Sequence, residues 1–93
     1  MGPEGRITKK ILDHLRSRGA WAIKNHGSPY VRAGLPDIFA CYRGRMIAIE
    51  VKVPGGTPTP IQAQTLADLE NHGALTGVVT SVEETEDLLS RLA

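Results

Sequence analysis

The sequence feature that most constrains this chain is the run 46–53, eight residues rich in β-branched side chains. The turn residues Pro54-Gly55-Gly56 follow it, and together they predict a β-strand that ends at a loop. Side chains alternate between the two faces of a strand, so one face is wholly aliphatic, with Ile47, Ile49, Val51 and Val53. The opposite face carries Met46, Ala48, Glu50 and Lys52. The aliphatic face predicts a core. The carboxylate and ammonium group, about 7 Å apart, indicate either a structural ion pair or a metal-dependent active site.

A predicted hairpin brings a second acidic residue to the same end of the sheet. Residues 37–42 have the composition of another strand, and Tyr42-Arg43-Gly44-Arg45 is typical of a tight turn. A hairpin makes its two strands antiparallel neighbours. Asp37, at the start of one strand, is therefore predicted to lie beside Glu50 and Lys52, at the end of the other. Two adjacent carboxylates repel each other unless a cation joins them.

The chemistry of this group favours magnesium over zinc. Mg²⁺ takes oxygen ligands, keeps several waters, and is often held by one or two carboxylates together with phosphate oxygens. The single cysteine, Cys41, and the three histidines show no zinc-ligand spacing. A lysine at position 52 can orient or deprotonate a water and stabilise charge on a phosphate. No glycine-rich nucleotide loop or Ser/His/Asp set competes with this interpretation. Among enzyme chemistries the residues best fit a metal-dependent phosphodiesterase, but an Asp and a Glu-x-Lys are common by chance, and the structural ion pair stays open.

Helix and strand signals alternate along the rest of the chain. Helices are predicted at 4–18, at 60–71 and from 82 onward, and further strands at 21–25 and 75–80. The order is α-β-β-β-α-β-α. It predicts an α/β fold in which helices flank one mixed four-stranded sheet, within a single domain, 1–93.

Six further residues each have two interpretations. Glu4 lies on the apolar stripe of the first helix and would face the sheet, or it is an N-terminal acid favoured by the helix dipole. Gln62 completes a capping box with Thr59, or it points at the sheet on the stripe of the second helix. The loop 26–34 and the strand before it hold four side chains that suit DNA, or that form an ordinary polar connection. These four are Lys24, His26, Tyr30 and Arg32.

The net charge of +1 conceals an uneven distribution. Residues 1–52 have a balance of +6 and residues 53–93 a balance of −5. A basic surface around an acidic centre suits a polyanion that is brought to a metal, although chance partition in a small chain gives the same balance. One cysteine suits a reducing compartment, and no apolar run approaches a membrane span or a signal peptide. We therefore expect a cytoplasmic location.

Several short blocks of the sequence resemble a known nuclease superfamily. Pro36-Asp37 followed by Glu50-Val51-Lys52, on a layout of a helix and then strands, resembles the PD-(D/E)XK nucleases. More narrowly, the chain resembles the VRR-NUC family in its small stand-alone form from phages and bacteria. The blocks that carry this resemblance are Gly27-Ser28, Ala33-Gly34-Leu35-Pro36-Asp37, Gly44-Arg45, Ile49-Glu50-Val51-Lys52, Pro54-Gly55-Gly56 and Thr59-Pro60-Ile61-Gln62.

The resemblance implies a restriction-endonuclease-like core and metal-dependent cleavage of DNA. It implies Mg²⁺ or Mn²⁺ bound by Asp37, Glu50 and the backbone carbonyl of Val51. It also implies Lys52 as the catalytic lysine, Gln62 as the motif glutamine and Glu4 as an acidic residue of the site. Stand-alone members are similar to Holliday junction resolvases, so a homodimer acting on four-way or other branched DNA is expected. The alternatives are a non-catalytic DNA-binding or assembly module, and a nuclease of this fold with another nucleic-acid substrate such as RNA.

Overall fold

The computed structural model describes residues 1–92. The elements are α1 (Pro3–Ser17), β1 (Trp21–Lys24), β2 (Ile38–Tyr42), β3 (Arg45–Val51), α2 (Pro60–Asn71), β4 (Leu75–Val79) and α3 (Val82–Leu89). Their order is the predicted one, and the predicted boundaries are right to within one or two residues. Among the residues that the structure describes, no helix is long and apolar enough to cross a membrane.

The four strands form one mixed sheet in the order β1-β2-β3-β4. The pairs β1–β2 and β2–β3 are antiparallel, whereas β3 and β4 are parallel and are joined through α2. The turn between β2 and β3 has positive φ at both central residues, 52° at Arg43 and 76° at Gly44. Positive φ at both positions defines a type I′ turn, the geometry that suits a two-residue hairpin. The predicted hairpin is therefore confirmed, and it fixes the register of the two central strands.

The core lies between one face of the sheet and the pair α1 and α3. Ile11 and Leu15 of α1 are fully buried, as are the aliphatic residues Ile47, Ile49 and Val51 of β3. The prediction that Val53 continues this face is wrong, because β3 ends at Val51 and Val53 is exposed. The carbonyl of Val53 instead accepts a hydrogen bond from Gly56 in the turn that follows.

The opposite face of the sheet is covered only in part. Helix α2 contacts β3 and β4 but neither of the other helices, so it packs on the face away from the core. Ala48 and Glu50 lie on this second face and are buried. Trp21 and Met46 lie beyond the reach of α2, in one row across β1, β2 and β3, and both are exposed. The two carboxylates of the predicted site therefore lie on a half-covered face that solvent can approach.

Candidate active site

The hairpin places Asp37 and Glu50 side by side at one end of β2 and β3. Ile38 pairs with Ile49, so the next position outward sets Asp37 opposite Glu50. Oδ2 of Asp37 accepts a hydrogen bond of 2.8 Å from the backbone N–H of Val51. The backbone carbonyl of Asp37 accepts another, of 2.7 Å, from the N–H of Asn25 at the end of β1. The predicted convergence of these residues is confirmed, and three strands hold Asp37 in place.

Glu50 is the unusual residue of this group. Its side chain is about 2% exposed, and its Oε1 atom has no hydrogen-bond partner among the residues that the structure describes. Oε2 lies 3.6 Å from Nζ of Lys52. Burial, and then the neighbouring Asp37 carboxylate, raise the pKa of Glu50 to about 7, against a smaller opposing effect of Lys52. A buried carboxylate with a free oxygen and a raised pKa is typical of a functional site.

The donor set fits an oxygen-preferring divalent cation. Asp37 and Glu50 offer carboxylate oxygens, one of them unpartnered and buried. The N–H of Val51 faces Asp37, and a strand residue presents its N–H and carbonyl on the same edge, so its carbonyl borders the same gap. Within residues 1–92, no group of three or more His, Cys, Asp and Glu side chains could enclose a metal. An open set of two carboxylates and one carbonyl suits Mg²⁺ or Mn²⁺, which retain water and take phosphate oxygens as further ligands.

The loop between β1 and β2 forms a concave surface beside the carboxylates. A cavity of about 420 Å³ is lined by this loop, including Ser28 and Arg32, and by Asp37 itself. Gly34 fixes the loop on α2, because its φ is 82° and a Cβ at this position would lie about 3.0 Å from the Ile61 side chain, which excludes larger residues. The sequence places Gly34 in the loop and in the block 33–37 that leads into Asp37, but it does not reveal the close approach to Ile61 of α2. The structure shows that Gly34 anchors the segment leading into Asp37.

The other predicted DNA-binding residues lie around this cavity at different distances. Arg32 lines it directly, whereas Lys24 and His26 line a neighbouring groove between α1 and β1. Tyr30 is 97% exposed at the tip of the loop. Two of the four side chains therefore share one groove, Arg32 lines a different cavity, and Tyr30 lines neither.

Gln62 has the structural role that its position predicts. Its Oε1 atom accepts a hydrogen bond of 2.9 Å from the N–H of Thr59, and its own N–H donates to the Thr59 hydroxyl at 3.3 Å. This reciprocal pair is the predicted capping box. The side chain is half-buried, and the described contacts join it to Thr59 and not to Glu50 or Lys52.

Glu4 does not face the sheet, so that part of its prediction is wrong. Its side chain is exposed in the first turn of α1, where an acid is favoured by the helix dipole. The buried stripe of the helix begins instead at Thr8, whose hydroxyl donates to the Glu4 carbonyl at 2.9 Å.

Nucleases of the PD-(D/E)XK type are the class of protein that this fold and paired carboxylates define. Within that class, the chain belongs to the archaeal Holliday junction resolvase (Hjc) family, whose sequence model matches residues 5–78. No curated protein matches the sequence.

Two solved structures are similar to the whole fold. A protein described as a VRR_NUC domain is 25% identical with a TM-score of 0.83, and the match covers 100% of both chains. Hjc from Archaeoglobus fulgidus, described as a Holliday junction resolvase, is 25% identical with a TM-score of 0.66. That match covers 83% of this chain and 67% of the other. The restriction-endonuclease-like fold predicted from the sequence is confirmed, while a phage or bacterial source stays a prediction.

Proposed function

We propose that this protein is a divalent-metal-dependent endonuclease that hydrolyses phosphodiester bonds in branched DNA, in the manner of a Holliday junction resolvase. The observation that carries the proposal is the buried Glu50 carboxylate, with one oxygen free, between Asp37 and Lys52. Burying an unpaired acid is unfavourable, and structural need alone does not explain it. A cation that binds both carboxylates would satisfy that oxygen and relieve their repulsion.

Asp37, Glu50 and the Val51 carbonyl would hold Mg²⁺ or Mn²⁺. Such an ion supplies Lewis acidity toward the phosphate and lowers the pKa of its bound water. Asp37 is oriented for this role by the N–H of Val51. Glu50 also keeps the ammonium group of Lys52 close to the site, at 3.6 Å. Lys52 would donate hydrogen bonds to the attacking water or to a phosphate oxygen, where negative charge develops during hydrolysis.

The basic half of the chain supports a nucleic-acid substrate. Arg32 lines the cavity that contains Asp37, and Lys24 and His26 line the groove between α1 and β1. Phosphate contacts from such side chains position a backbone without selecting its sequence. Tyr30, exposed at the loop tip, has a free ring on which a base can stack. We assign DNA contacts to these four residues. For Gln62 we propose a second role besides its cap, which is to orient the attacking water or Lys52, and for Glu4 the role of an acidic residue of the site that the family resemblance implies.

Family membership supports a four-way junction as the preferred substrate, and a homodimer would match its symmetry. Two copies related by a two-fold axis would present two active sites to two strands of the junction. The uncovered row that contains Trp21 and Met46 supports this assembly, because exposed apolar patches of this kind mark association surfaces.

The experiment that tests the catalytic assignment compares Lys52→Ala with Lys10→Ala. Lys10 is an exposed lysine of α1 that lies outside the site, so it controls for the loss of one positive charge. We expect Lys52→Ala to lower the single-turnover cleavage rate roughly 100- to 1,000-fold, the effect of removing one donor to developing charge. Junction affinity, measured with chelator, should stay within about twofold. Equal cleavage rates for the two variants would remove Lys52 from the mechanism.

A further inference from the structure

A second concave surface lies between α1 and the free edge of β1. It is a groove of about 520 Å³ whose wall includes Leu12 and Arg16 of α1, and Ile23, Lys24 and His26 of the β1 side. Its floor is mainly apolar, and basic side chains form the rim. No Asp or Glu lines the groove in the part of the chain that the structure describes. Asp13, nearby on α1, pairs with Lys9 at 2.8 Å.

The edge of β1 adds backbone donors to this groove. Asn25 donates inward to Asp37, and inward and outward pairs alternate along an antiparallel ladder. The N–H and carbonyl groups of Ala22 and Lys24 therefore point outward, toward the groove. Arg16 already occupies the Ala22 carbonyl, donating to it from Nη2 at 2.9 Å and from Nε at 3.3 Å.

These contacts favour an anionic occupant over a further β-strand. Strand addition needs both the donors and the acceptors of a free edge, and Arg16 blocks one acceptor. Apart from the Lys24 carbonyl, the groove then presents donors, namely the Lys24 N–H, the Lys24 ammonium group and the N–H groups of Arg16 that do not bond to Ala22. A phosphate backbone satisfies such a set, and the apolar floor would receive the faces of unpaired bases.

Consecutive residues of the chain line the groove and the cavity that contains Asp37. His26 lines the groove, Asn25 lines the neighbouring cavity, and the N–H of Asn25 bonds to the carbonyl of Asp37. One strand of nucleic acid that leaves the carboxylates along this loop would therefore enter the groove within a few nucleotides. The groove has the volume of a small-ligand site, which suits a few unpaired nucleotides better than a duplex.

We infer that this groove binds an unpaired strand of DNA next to the cleaved phosphate. Lys24 and Arg16 contact its backbone, and Ile23 and Leu12 contact its bases. The inference rests on the proposed nuclease function and adds to it a preference for branched DNA that has unpaired nucleotides at the branch. A fully paired junction would occupy the carboxylates without filling the groove.

The test measures fluorescence anisotropy with chelator present, so that no cleavage occurs. The probes are a labelled 12-nucleotide oligothymidylate and two four-way junctions, one fully paired and one with four unpaired thymidines at the crossing. The variants are Lys24→Ala, Ile23→Glu and the control Lys10→Ala, each checked for folding by circular dichroism. We expect wild type to bind the unpaired junction at least threefold more tightly than the paired one.

The two groove variants should behave differently from the control. Lys24→Ala should weaken oligothymidylate binding about three- to tenfold. It should also make the slope of log affinity against log salt concentration shallower by about 0.7, as for one lost single-strand phosphate contact. Ile23→Glu places a negative charge on the floor of the groove and should weaken oligothymidylate binding tenfold or more. The affinity of the control Lys10→Ala should stay within twofold of wild type. Wild-type affinity in both groove variants would overturn the inference.

Cleavage of the paired junction by wild type with Mg²⁺ separates the two proposals. If wild type cleaves the paired junction and both groove variants bind oligothymidylate normally, the nuclease function stands and the groove proposal is overturned. If no metal supports cleavage but the groove variants bind oligothymidylate more weakly than wild type, the nuclease function is overturned and the groove stands as a single-strand binding site.

Discussion

Glu50 is the residue on which the chemistry of this molecule depends. A carboxylate that is almost fully buried beside a second carboxylate destabilises the folded chain whenever it is ionised. The folded pKa of about 7 lies above the ordinary value of 4.5. Glu50 therefore contributes stability that is fully present below pH 4.5 and is lost as the pH rises through 7. Without metal, the protein should be less stable at about pH 8 than at about pH 5.

This effect predicts that Glu50→Gln stabilises the metal-free protein at alkaline pH. A neutral amide avoids the cost of ionisation, so the variant should gain on the order of 2–3 kcal/mol at about pH 8 and little at about pH 5. Urea unfolding with chelator, at both pH values, measures the difference. If the stability of the variant falls between the two pH values as steeply as that of wild type, ionisation of Glu50 is not the cause of the loss of stability.

At the same scale, alternation along β3 was enough to predict which face carries Glu50 and Lys52. The strand pattern could not show that the polar face is buried under part of α2, and so could not predict the raised pKa or the unpartnered oxygen. Those depend on tertiary contacts. The prediction that Glu4 faces the sheet was wrong, because helical spacing predicts a face of the helix but not the residue at which burial of that face begins, which here is Thr8.

At the scale of the elements, Gln62 caps α2 and, as we propose, also acts in the active site. Gln62→Ala removes the acceptor for the Thr59 N–H and should lower the free energy of unfolding by about 1 kcal/mol. Gln62→Glu keeps an acceptor oxygen there and should be close to wild type in stability. If Gln62 also acts in the site, the glutamate variant should cleave DNA more slowly although it is stably folded.

Chemical denaturation and single-turnover cleavage on the same two variants separate these roles. Normal cleavage by Gln62→Glu would leave Gln62 as a helix cap only.

The boundaries of α2 were predictable because Thr59 and Pro60 begin it by well-understood capping rules. The end of β3 was less predictable, because the sequence Val51-Lys52-Val53 continues the alternating pattern past the last residue of the strand.

The whole molecule has one fully covered sheet face and one that α2 covers only over β3 and β4. Trp21, 64% exposed, and Met46 lie on the uncovered part. If this surface joins two copies, Met46→Glu should shift the protein from dimer to monomer, since a buried unpaired charge opposes association. Sedimentation velocity over a range of protein concentrations measures the shift. A wild-type protein that is monomeric throughout would contradict the proposed homodimer.

The order of elements, the mixed sheet and the convergence of Asp37 with Glu50 were all predictable from local patterns and one hairpin. The covering of the sheet was not, because it depends on how α2 packs after a loop with few local constraints. The charge balance of the two halves of the chain was visible in the sequence. Only the fold shows that Arg32 lines a cavity together with Asp37.

The most direct test of the account is cleavage of a labelled four-way junction and of a linear duplex with the same arms. Wild type and Asp37→Asn are compared with Mg²⁺, with Mn²⁺ and with chelator, and products are resolved by electrophoresis. The account predicts symmetric nicks near the crossing of the junction for wild type with metal, and none for the variant or with chelator. Cleavage by Asp37→Asn at the wild-type rate, or cleavage that persists with chelator, would contradict the assignment of the site.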